Sequence, residues 1–98
     1  AEIERVVPVL PVPLVAAALA ERPADRAALA KAVAALIARL TESGAVMKLP
    51  PQGLDVTLDE GLGPLMARGA VGPDLQTVPG AEAMLAFYAA PVRQRLGI

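Results

Sequence analysis

Ten prolines divide this 98-residue chain into short lengths, and they constrain its fold more than any other feature. Proline fixes φ, offers no backbone N–H and pushes the residue before it out of the helical region. Pro8, Pro11 and Pro13 fall in the most apolar stretch, Val6 to Ala20. They predict an extended arm over residues 1–12. Pro13 then serves as the first position of a short helix over about 13–21, and Pro23 ends it. The same stretch is too short for a membrane-spanning helix, which needs about 20 apolar residues. Glu2, Glu4 and Arg5 precede it, so it lacks the basic start of a signal peptide. It reads as a buried or docking segment, with peripheral membrane contact left open.

Asp25 is suited to cap a second helix. Leu29, Val33, Leu36, Ile37 and Leu40 follow at the spacing of one apolar stripe, and Gly44 closes the helix as a left-handed cap. Ala45–Leu49 reads as a short strand, broken by Pro50, Pro51 and Gly53. Thr57-Leu58-Asp59-Glu60 matches a capping box, with Asp55 as the alternative cap. The third helix then turns Leu58, Leu62, Leu65 and Met66 inward, kinks or restarts at Gly63-Pro64 and ends at Gly69. Residues 70–78, turning at Gly72-Pro73-Asp74, read as a hairpin. After Pro79-Gly80, a last helix buries Met84, Leu85, Tyr88 and Val92, with Leu96 extending it and Pro91 kinking or restarting it. The expected fold is a single α+β domain over residues 1–98. It is mostly helical, with four short helices and a small antiparallel sheet of strand plus hairpin, loosely winged-helix-like. The extended apolar arm covers 1–12 and the helical, winged core 13–98.

The chain has no His, no Cys, no Asn and a single serine, Ser43. This removes imidazole general bases, thiolate nucleophiles and Cys/His metal cages. No catalytic, cofactor-binding or metal-ligating residue is assigned. Asp55, Asp59 and Glu60 form an acidic cluster whose spacing suits helix capping better than an acid/base or metal pair. Gly61 and Gly63 fall inside a helical pattern, which suits close helix packing or a kink better than a phosphate-binding loop. Net charge is −1 with no basic run, so nucleic acid is disfavoured as a partner. Arg93 and Arg95 suit either a solvated helix end or an anionic partner. Phe87 lies off the buried stripe of its helix and marks a second face or an interface.

Ile3-Glu4-Arg5-Val6-Val7-Pro8-Val9-Leu10-Pro11-Val12-Pro13-Leu14-Val15 resembles a stretch that follows the catalytic region of bacterial glycerol-3-phosphate acyltransferases. There the pattern runs approximately Ile-Asn-x-Val-Thr-Pro-Val-Thr-Pro-x-Ser-Leu-Val, followed by an alanine/leucine helix. Met84-Leu85-Ala86-Phe87-Tyr88-Ala89-Ala90-Pro91 is similar to that family's terminal Leu-x-x-Tyr-Tyr-Ala-Asn-Ser motif, and the order of elements between them also looks alike. Glu4 stands where the pattern has Asn, Val7 and Leu10 where it has Thr, Pro13 where it has Ser, and Ala90-Pro91 where it has Asn-Ser. The family's His-x-x-x-x-Asp signature is absent, so no catalytic role carries over. The resemblance implies a non-catalytic C-terminal packing or regulatory domain of a membrane-associated parent. That parent would transfer an acyl group from acyl-CoA or acyl-carrier protein to glycerol 3-phosphate in phospholipid synthesis. The partner would be the parent's catalytic domain, and the location the cytoplasmic side, peripheral to the inner membrane. The residues expected at the interface are Val6, Val7, Val9, Leu10, Val12, Phe87, Arg93 and Arg95. The alternatives are a winged-helix-like interaction or regulatory module without enzyme activity, a small membrane-surface domain using Val6 to Ala20, and, last, a free-standing enzyme acting through Asp59 and Glu60.

Overall fold

The structure, a computed structural model, describes residues 8–97. Four helices follow one another: α1 (Pro11–Leu19), α2 (Arg26–Glu42), α3 (Leu54–Ala67) and α4 (Glu82–Leu96). α1 is the hub. Leu14, Val15, Ala16, Ala17, Ala18 and Leu19 are all buried. A helix apolar on every side must be enclosed by its neighbours. α4 and α3 pack most extensively on it, and α2 covers less.

Contrary to expectation, the chain is helical from Pro11 rather than extended to residue 12. Pro11 and Pro13 occupy the first turn, where backbone N–H groups have no intrahelical acceptor, so their missing donors remove nothing. The first bond of the helix is Leu14 N–H to Leu10 O, at 3.3 Å. α1 also ends earlier than expected, at Leu19, and Arg22 takes a left-handed conformation just beyond it.

The expected antiparallel sheet is not there, and with it goes the winged-helix likeness. Among the described residues no strand forms. The 45–49 segment makes one parallel pairing, Met47 with Val9, through Val9 N–H to Val46 O (2.7 Å) and Lys48 N–H to Val9 O (2.8 Å). It goes no further on the C-terminal side because α1 begins at Pro11 and Pro50-Pro51 offer no donors. The 70–78 segment turns as expected, but Val71 and Thr77 form its one antiparallel bridge. Pro73 and the left-handed Leu75 lie in the loop itself. Too few consecutive ladder bonds remain for a wing.

α2 follows the sequence closely. Asp25 Oδ1 accepts from Ala28 N–H at 2.8 Å. Leu29, Val33, Leu36 and Leu40 are buried, while Ile37 is half-buried. At its end Gly44 N–H donates to Thr41 O and Ala45 N–H to Leu40 O, and left-handed Gly44 makes this paired closure possible. α3 closes the same way, through Gly69 N–H to Met66 O and Ala70 N–H to Leu65 O.

α3 departs from expectation at its start. It begins at Leu54 with Gly53 as N-cap and no side-chain cap, so Thr57 caps nothing. Thr57 is buried in the first turn, and its hydroxyl donates back to Gly53 O at 3.1 Å. Leu58, Leu62 and Leu65 point inward as expected, but Met66 is exposed. Both α3 and α4 run on through their internal prolines, Pro64 and Pro91, without restarting. Those prolines are exposed, and so are Glu60 and Phe87, whose carbonyls lose their helical donors. In α4, Leu85, Ala89 and Val92 form the buried face; Met84 is exposed and Tyr88 half-buried.

Gly61 sets how closely α3 approaches α1. A Cβ there would stand 2.7 Å from both Pro11 O and Val15 Cβ. The crossing therefore requires glycine. Gly63 has open space around it.

Candidate functional site

The acidic cluster has an internal partner. The Arg26 guanidinium lies 2.9 Å from Asp59 and 3.7 Å from Asp55, and also donates to Asp55 O at 3.1 Å. All three side chains are well exposed, so the pairs add little stability. They tie the start of α2 to the first half of α3. Among the described residues no group of three carboxylates converges as a metal site.

The residues expected at an interface separate into distinct places. Val6 and Val7 lie outside the described residues. Val9 is buried in the chain's own core through its pairing with the 46–48 segment. Leu10, beside it, is 48% exposed, and Val12 is half-buried. Phe87 is 76% exposed on α4, edge-on to Tyr88 at 5.7 Å between ring centres. Arg68, just past α3, lies over the Tyr88 ring of α4 at 5.9 Å. Arg95 is engaged within the chain: its guanidinium donates to Ser43 O (2.8 Å) and Ser43 Oγ (3.3 Å), neutralising the C-terminal end of α2. Arg93 is exposed at a groove.

That groove lies between the end of α1, the 75–79 loop and α4, and has a volume of about 400 Å³. Ala16, Leu19, Leu85 and Ala89 give it an apolar floor, while Arg22, Arg93 and Glu82 stand exposed around it. The loop is anchored to the end of α1 by Gln76 Nε2, which donates to Pro23 O at 3.4 Å, and it is shaped by Gln76 N–H donating to Asp74 Oδ1 at 3.1 Å. No described carboxylate lies within ion-pair distance of Arg22 or Arg93. Sequence reasoning missed this groove because its walls come from segments more than fifty residues apart. Arg22 lies one residue beyond the position where glycine commonly closes a helix, so no local pattern marked it.

Among the described residues no helix is long and apolar enough to cross a membrane. No protein-family model matches the sequence, and neither curated proteins nor solved structures provide a similar chain.

Proposed function

We propose that this chain is a non-catalytic packing and regulatory region of a membrane-associated glycerol-3-phosphate acyltransferase, seated against the catalytic part of a longer parent. One observation carries this. The two stretches that resemble that family, Ile3–Val15 and Met84–Pro91, also hold Leu10, Met84 and Phe87, three of the large apolar side chains left exposed. A phenylalanine three-quarters exposed leaves most of its apolar area in water, area that docking against a catalytic part would bury. The same two stretches contribute to α1 and α4, which pack on each other. In the parent, acyl transfer from acyl-CoA or acyl-carrier protein to glycerol 3-phosphate belongs to the catalytic part. This region contributes packing, at the cytoplasmic face and peripheral to the inner membrane.

The test is an antibody against this chain, used on fractionated source cells. The expected product runs far above the 10.0 kDa of this chain, sits in the membrane fraction, and carries glycerol-3-phosphate acyltransferase activity into the immunoprecipitate. Phe87→Glu in the full-length protein is expected to lower that activity or the yield of membrane-bound protein. A 10 kDa soluble product without activity would contradict the proposal and leave a free-standing interaction module.

A further inference from the structure

Seven described positions have positive φ. Five are glycines, and the other two are Arg22 (φ 55°) and Leu75 (φ 65°). Left-handed backbone strains a residue that carries a Cβ, and most of all a bulky one. Glycine would relieve that strain at both positions, as it does at the other five. The two side chains kept despite it line the same groove.

The chemistry of the groove is two-sided. Arg22 and Arg93 are both unpaired among the described residues, and Glu82 is the one acid in its lining, so its charge is net positive. Its floor, between α1 and α4, is alanine and leucine. Guanidinium groups receive carboxylate and phosphate with two parallel bonds each, which suits them to anionic headgroups. A volume of about 400 Å³ lies within the roughly 300–1,000 Å³ of small-molecule sites. Backbone strain held at a pocket is also a common mark of a built site.

We propose that this groove binds a small anionic amphiphile. Arg22 and Arg93 hold its phosphate or carboxylate, and its short apolar body lies on the α1–α4 floor against Leu75. The site stands independently of the parent protein proposed above.

The probe is octyl phosphate, held below its aggregation concentration and followed by amide NMR shifts of the isotope-labelled chain. Saturable shifts are expected around residues 16–22, 75–79 and 82–93. Octanol and inorganic phosphate should each bind at least tenfold more weakly. Arg22→Gly removes the charge and the strain together, so this variant should melt at or above the wild-type temperature and lose at least tenfold in affinity. Arg93→Gln should lose a similar factor. The proposal is overturned if octyl phosphate gives no saturable shifts, if octanol or inorganic phosphate binds equally well, or if both variants bind like wild type. Binding seen only with dioleoylphosphatidylglycerol vesicles would also overturn it. Should a variant fail to fold, the three probes on the wild-type chain decide the matter alone.

Discussion

Gly61 and Gly63 sit two residues apart on α3 and face opposite demands. At Gly61 any side chain collides with Val15 and with the Pro11 carbonyl, which is backbone and cannot rotate away. Gly61→Ala is expected to destabilise the chain by about 1–3 kcal/mol, the usual cost of overpacking. Apart from its chain neighbours, Gly63 has nothing within reach of a new Cβ. Gly63→Ala is expected to change stability by less than about 1 kcal/mol, because the backbone freedom alanine saves in a helix is offset by its Cβ against the ring of Pro64. Urea denaturation of the pair reads the difference, and a stabilising Gly61→Ala would contradict the close α1–α3 crossing. Asp25→Ala should cost about 1 kcal/mol through loss of the cap on α2. Their place in a helical pattern marks Gly61 and Gly63 together for close helix packing or a kink. The pattern could not separate Gly61 from Gly63, because which face meets α1 depends on a helix some fifty residues away.

Among the elements, the helices were legible, and the lack of a sheet among the described residues was not. Asp25, the Leu29–Leu40 stripe and Gly44 define α2 through local bonds alone, so its limits were readable. The pairing of Val9 with Met47 is long-range, and whether it extends depends on where α1 starts. The sequence places that start at Pro13, two residues late, because Val12 precedes a proline and such residues are disfavoured in a helix. In the first turn of α1 the prolines remove no bond, whereas Pro64 and Pro91 remove one each from exposed turns. Pro64→Ala should therefore restore a donor to the Glu60 carbonyl and stabilise α3 by about 1–3 kcal/mol. Thermal unfolding followed at 222 nm checks this, and a lowered melting temperature would mean that the proline shapes α3 in a way the packing needs. The groove was the least legible part. Its floor, its two arginines and its loop share no local pattern, and only the folded chain brings them together.

For the whole molecule, α1 is short, uncharged and enclosed by the other three helices. A chain of 98 residues holds limited core to spare. Leu14, fully buried in α1, should cost about 2–5 kcal/mol when cut to alanine, a large part of the roughly 5–15 kcal/mol that holds such domains folded. The fold is organised around this helix rather than around a sheet. Native-state amide hydrogen exchange tests it most directly. Ala18 and Leu19 in α1 should exchange only through global unfolding, as slowly as the best-protected amides of α2, while the 45–49 and 70–78 segments exchange faster. Rapid exchange in α1, with slow exchange along 45–49 and 70–78, would mean that a sheet and not α1 holds the core.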